Sequence, residues 1–330
     1  MTKMRSFLFA SAVLCMGATP ALADDEIIFQ ANWLIQGENA YMVAGKEKGF
    51  YKEEGIELTL NRGFGSGDTL KKVVTGAATI GTADSGTLML SVMREGLPLK
   101  CIASEYTYSP QGIWVLAGSG ITKIADLKGK RFGLTAGNSM HVYFPLLAEK
   151  AGIASTDVTF VNMEASALLP TLLAGQIDAM TGFATVIGLR NAEAQSQGKE
   201  LFGMPMAEHG LKIYGECQFT TVDRIKDNPD LIKRYLRATR KSLEWSRDNP
   251  EETADIISKA YPELARDKVL INHLAYIKGF VFNETSAKFG VGGFDMEQLQ
   301  RTFDIVATAQ KLGKTADVAQ FVDASMLPPK

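Results

Sequence analysis

The chain has 330 residues, 46% hydrophobic and 22% charged, with 35 Lys+Arg against 37 Asp+Glu for a net charge of −2. That is enough for two domains with separate cores, and the lack of a basic excess excludes a general polyanion or nucleic-acid binder. Three cysteines exclude a disulfide scaffold or a multi-cysteine zinc module.

The first 23 residues read as a cleaved signal peptide. Lys3 and Arg5 precede the apolar run Phe7 to Met16, and Ala21 and Ala23 supply the small residues of an A-x-A cleavage site. The run is too short to cross a bilayer, and Leu14 before Cys15 disfavours lipid anchoring. Cleavage removes two cations and moves the net charge from −2 to −4. Cys101 and Cys217 then face an oxidising compartment, where they could pair or remain two buried thiols.

Strands and helices alternate from there. Ile27 to Ala31 reads as a strand, residues 38–49 as a helix closed by Gly49, and Ile56 to Leu60 as a strand with period two. The glycine-rich loop Gly63 to Asp68 opens a helix to Thr75, followed by a strand at Ala78 to Ala83 and a helix at Ser85 to Arg94. A second stretch repeats the scheme, with strands at 131–135, 158–163 and 178–183 and helices at 139–150 and 165–174. Val73 to Ala78 can be laid over Leu172 to Ile177, each an apolar helix end, a glycine and a strand start. The alternation implies an α/β fold, and the repeat suggests two lobes. Beyond Tyr214 the pattern turns helical, at about 229–247, 250–260, 266–280 and 295–312, with Pro229 and Pro250 at first-turn positions.

Motifs of catalysis are missing. Asp68 stands where G-x-G-x-x-G needs its third glycine, no P-loop occurs, and the three histidines have no metal-ligand spacing. His141 replaces the second glycine of a G-x-S-x-G elbow around Ser139. No enzyme activity, cofactor or metal is expected.

Polar and aromatic residues do gather at the carboxyl ends of the expected strands, where open α/β sheets bind ligands. They are Asn32, Trp33 and Asn39; Gly65, Ser66 and Gly67; Asp84 and Ser85; Asn138 and Ser139; Glu164 and Ser166; and Phe183 and Thr185. Tyr106, Tyr108 and Tyr214 are further aromatic candidates, and Glu216 a further acid. The serines also suit helix N-caps, and the aromatics suit cores. Arg62, Arg131 and Arg190 fall outside these positions, so the expected cleft is acidic and aromatic and favours a neutral or cationic nitrogenous ring over a sulfonate or nitrate.

Four segments carry a family resemblance: residues 39–58 (NAYMVAGKEKGFYKEEGIEL), 76–83 (GAATIGTA), 124–130 (IADLKGK) and 173–179 (LAGQIDA). Together they resemble the periplasmic solute-binding proteins of ABC importers, in the NMT1/THI5-like branch with binders of thiamine precursors, sulfonate, taurine and nitrate. The resemblance implies a two-lobed periplasmic binding protein type II fold, each lobe a mixed sheet flanked by helices. Lobe one would comprise 24–116 and 214–330, and lobe two 117–213, with crossovers near Gln111–Ala117 and Lys212–Phe219. It implies a monomeric receptor that hands a small solute, such as a pyrimidine or flavin-like compound, to an inner-membrane permease. Trp33 and Tyr106 would stack on the ligand, Ser66, Ser85, Asn138 and Ser139 would hydrogen-bond it, and Glu164 or Glu216 would supply the acid. Relatives of the fold include a thiamine-pyrimidine synthase that consumes a histidine and pyridoxal phosphate. That is an enzymatic alternative from a different class.

Overall fold

The computed structural model describes residues 24–313 and 315–329; the expected signal peptide, with Cys15, falls outside the described residues. Ten strands form two five-stranded sheets. They are β1 (Asp25–Gln30), β2 (Ile56–Asn61), β3 (Ile80–Asp84), β4 (Leu99–Ser104), β5 (Gln111–Leu116), β6 (Arg131–Leu134), β7 (Thr159–Asn162), β8 (Ala179–Phe183), β9 (Leu201–Pro205) and β10 (Glu216–Thr221).

The sheet orders are β2-β1-β3-β10-β4 and β7-β6-β8-β5-β9. In each sheet three neighbouring strands pair in parallel through helical crossovers, β10 or β5 enters antiparallel beside the third, and the edge strand β4 or β9, antiparallel to it, runs with the first three. The two sheets thus share one plan, with each antiparallel strand fed by the crossover from the other lobe. Gly76 and Gly175, aligned by the internal repeat, both take positive φ (80° and 69°) just before β3 and β8. These two strands hold the same place in their sheets. A residue with a β-carbon is strained in that left-handed conformation.

The expected lobe boundary needs one correction. Gln111–Leu116, assigned to lobe one, is hydrogen-bonded between β8 and β9 in the second sheet. The first crossover therefore falls between Ser104 and Gln111. The β5 sequence, QGIWVL, is a buried strand without polar alternation, so periodicity could not say which sheet it joins.

The C-terminal helices wrap the first sheet. Helix Pro229–Asp248 is capped by Asn228, whose side chain accepts from Leu231 N at 3.1 Å, and buries Ile232, Tyr235, Leu236 and Leu243. The expected helix at 266–280 stops at Tyr276 and widens into a π-turn, Ile277–Val281. Helix Met296–Ala309 crosses to the other lobe, where Val306 joins the apolar core of Tyr143, Phe144 and Leu147. Elsewhere the lobes meet backbone to backbone. Gly67 N donates to Gly137 O at 3.1 Å, and a β-carbon on Gly65 would stand 2.4 Å from the Gly137 carbonyl carbon. Gly65 also has φ 116°, so only glycine permits this close approach.

Candidate functional site

A cleft of about 940 Å³, part of it open to solvent, lies between the two sheets. Lobe one contributes Asn32 and Trp33 after β1, Glu38 and Asn39 on the turn beyond, Ser66, Glu105 and Tyr106 after β4, and Glu216 at the head of β10. Lobe two contributes Trp114 from β5, Asn138 and Ser139, Met180 to Phe183, and Val186, Ile187 and Arg190 from the helix Ala184–Gln195. The Trp114 ring fits only because Gly203 lies beside it; a β-carbon there would sit 1.6 Å from the indole.

Three of these residues are buried carboxylic acids. Glu216 Oε1 accepts from Asn32 Nδ2 at 2.5 Å. Glu105 accepts from the Thr82 hydroxyl and from Tyr41 OH at 3.5 Å. Glu38 accepts from Gln36 Nε2 at 3.3 Å, while its second oxygen has no partner. Tyr106 OH and Trp114 Nε1 are likewise buried and unpartnered, a costly condition that a ligand's polar atoms can relieve.

Burial pushes Glu38 and Glu105 up to about 7, and raises Glu216 well above the ordinary carboxylate range, with Glu105 adding repulsion. A partly protonated carboxyl can donate or accept. The lining cation Arg190 is spent on Glu193 at 3.3 Å. The cleft therefore presents three buried acids that can donate or accept, beside aromatic rings. A small anion would meet acids and a cation already engaged.

The raised values carry a consequence for the empty protein. The folded state keeps protons on Glu38 and Glu105 up to about pH 7, whereas the unfolded chain releases them near the ordinary value of 4.5. Stability from these groups is full below about pH 4.5 and is lost as pH rises through about 7. Carboxylates held low by partners, such as Asp178 on Arg131, act below about pH 4, outside this window. The ligand-free melting temperature is expected to fall by several degrees between pH 5 and 7.5, and Glu105→Gln to flatten the slope. Thermal melts across pH check this; a rising slope would contradict it.

Of the residues expected from sequence, Trp33, Asn39, Ser66, Tyr106, Asn138, Ser139, Phe183 and Glu216 meet at the cleft. Four do not. The Asp84 carboxylate is fully buried, taking Thr87 N at 2.8 Å as helix cap, Tyr143 OH at 2.8 Å and Gln111 Nε2 at 3.2 Å. Ser85 follows it into the helix, fully buried. Tyr214 packs in the first-lobe core, its OH on Ser104 Oγ at 3.1 Å. Glu164 lies in a separate surface groove and pairs with Arg62 at 3.3 Å.

None of the four serines suited to capping serves as a side-chain cap. Ser66 Oγ accepts from Asp84 N at 3.0 Å, and Ser139 Oγ donates to Gln111 Oε1 at 3.0 Å. Glu38, Glu105, Trp114 and Arg190 line the cleft although the sequence pattern does not single them out, and it places Arg190 outside. Glu105 and Tyr106 stand just past β4, so reading LKCIAS as a strand would have flagged the acid. Trp114 sits mid-strand and Arg190 lies within a helix, where a search of strand ends does not look.

Among the described residues no helix is long and apolar enough to cross a membrane, and no cluster of His, Cys, Asp and Glu could hold a metal ion.

Residues 36–253 match the family described as "NMT1/THI5 like". The riboflavin-binding protein RibY of Chloroflexus aurantiacus is 25% identical over 301 residues, covering 89% of this chain and 83% of that protein. The 4-amino-5-hydroxymethyl-2-methylpyrimidine phosphate synthase of Legionella pneumophila is 26% identical over 240 residues, covering 71% and 73%. The alkanesulfonate-binding protein SsuA of Xanthomonas axonopodis pv. citri superposes with TM-score 0.68 at 16% identity, covering 92% of this chain and 99% of that one. That likeness shows the two-lobed fold of periplasmic binding proteins. The matched span includes Glu38, Glu105, Trp114, Arg190 and Glu216 from both walls of the cleft, and the chain belongs to the NMT1/THI5-like family.

Proposed function

We propose that the protein is a soluble periplasmic receptor that closes its lobes on a neutral or cationic nitrogen heterocycle and delivers it to an ABC permease. The observation that carries this reading is the meeting of three buried acids with Trp33, Tyr106, Trp114 and Phe183 in one interlobe cleft. Aromatic faces bind a planar ring, and the acids take its ring nitrogens and amino groups. The signal-like first 23 residues support export, and the names of both relatives refer to nitrogen heterocycles.

A thermal-shift screen over riboflavin, thiamine, the hydroxymethyl-aminopyrimidine, taurine, nitrate and aromatic acids tests the reading. A ligand at about 100 times its Kd adds roughly 2.7 kcal/mol. Heterocycles are expected to shift the melt; a shift by taurine or nitrate alone would overturn the heterocycle assignment.

The Legionella relative's name motivates the synthase alternative. No histidine or lysine is among the residues lining the cleft, and His273 is buried with its ring nitrogens on Gly37 O and Ser246 O. This favours binding without turnover. Incubation with pyridoxal phosphate, followed by mass spectrometry for a consumed histidine, decides between them.

A further inference from the structure

Beside the ligand cleft runs a second groove of about 1430 Å³, also between the lobes and part open to solvent. Its first-lobe wall is the Leu34–Gly37 loop, the end of β2 and the stretch from Tyr261 to Asn272; its second-lobe wall is the helix Ala184–Gln195. Gln36, Val186 and Arg190 line both spaces and so stand where the two adjoin. A substituent on the groove-facing edge of a ring seated in the cleft would pass these three residues to reach the groove.

We propose that the groove is a second subsite of the same binding site and takes a neutral, hydroxylated tail attached to the ring. The inference rests on the heterocycle reading and adds to it the shape of the ligand, a ring with a flexible polar substituent.

The groove's charges decide the tail's chemistry. Glu193 holds Arg190 at 3.3 Å and Lys268 at 2.7 Å, Arg62 pairs with Glu164 at 3.3 Å, and Glu263 adds a further acid to the lining. A phosphate would have to displace a carboxylate from an existing pair. Hydroxyl groups can instead add to these pairs and to Asn61 while the tail's carbons lie on Leu60 and Leu189.

The test compares three probes on the full mature protein by calorimetry: lumiflavin, the same ring with a methyl in place of the tail; riboflavin, which carries the ribityl tail; and flavin mononucleotide, which ends that tail in phosphate. Riboflavin is expected to bind about tenfold or more tighter than lumiflavin, and the mononucleotide no tighter than riboflavin. Leu189 lines the groove and not the cleft. Leu189→Trp should fill the groove and remove most of riboflavin's advantage while leaving lumiflavin within about twofold, which also certifies the fold. If the variant fails to fold, the three-probe series on the unmodified protein still decides.

Equal binding of lumiflavin and riboflavin overturns the subsite and leaves the heterocycle reading standing. Tightest binding by the mononucleotide overturns the neutral tail. Failure of all three overturns the inference, and the heterocycle reading falls with it only if thiamine and the pyrimidine are silent too.

Discussion

Replacing Cys101 and Cys217 together by alanine is expected to lower stability by about 3–5 kcal/mol and the melting temperature by roughly 10 °C. The two are bonded, with Cα atoms 5.7 Å apart and a sequence separation of 116. That interval contains the whole second sheet, so the bond closes a very long loop in the unfolded chain. Chain entropy alone gives about 4–5 kcal/mol for a loop this size, and the loss of two buried sulfurs from the first-lobe core adds a packing cost.

The bond also has a local position. It ties β4 to β10, and the residues leaving β4 fold back on β10: Glu105 N and Tyr106 N both donate to Glu216 O, at 2.9 and 3.1 Å. Those backbone bonds survive the substitution, so ligand affinity should change far less than stability. Urea titration of oxidised, reduced and doubly substituted protein checks this. A loss under about 1 kcal/mol would mean that the unfolded chain is already held compact.

The fold was largely legible because its signals are local. Period-two runs, glycines past helix ends and prolines in first turns gave the parallel strands and the C-terminal helices nearly as they stand. Hidden from that reading were strands whose identity depends on their neighbours. Both β5 and β10 are buried on both faces; β5 carries no alternation, and β10 alternates polar and apolar residues without an exposed face, yet they are the strands that join the lobes.

The site was half legible for the same reason. Trp33, Ser66, Asn138 and Phe183 follow recognisable strands, so topology alone places them. Glu105 follows β4, whose sequence carries no clear strand period, and Trp114 reaches the cleft because two glycines opposite it have no side chains. Asp84 stands apart from the cleft although its strand is plain in the sequence. A carboxylate that begins a helix can face a ligand or cap its own helix, and only the partners decide which.

Those partners make Asp84→Ala the other large expected loss, on the order of 3–5 kcal/mol. The carboxylate is fully buried and accepts from Thr87 N, Thr87 Oγ1, Tyr143 OH and Gln111 Nε2. Alanine removes the cap and strands three further donors, each costing about 1–3 kcal/mol when buried unpaired, though not additively.

Asp84→Asn should behave differently. The oxygen that the amide retains can keep Thr87 and Tyr143, while the new N–H₂ faces Gln111. A flip of the Gln111 amide presents its oxygen to that N–H₂ and its nitrogen to Ser139 Oγ, which can accept by turning its hydroxyl. The exchange also removes a buried charge, one already unfavourable enough to raise the Asp84 pKa to about 6. The asparagine variant is therefore expected within about 1 kcal/mol of the parent at pH 7.5.

Denaturation of the two variants side by side checks the argument. If asparagine costs as much as alanine, the charge itself holds Tyr143 and Gln111, and the flip is blocked. Because Tyr143 and Ser139 belong to the second lobe and Asp84 to the first, the alanine variant should also loosen the join behind the cleft. Ligand affinity would then fall with stability, in contrast to the disulfide variant, whose effect acts mainly through the unfolded chain.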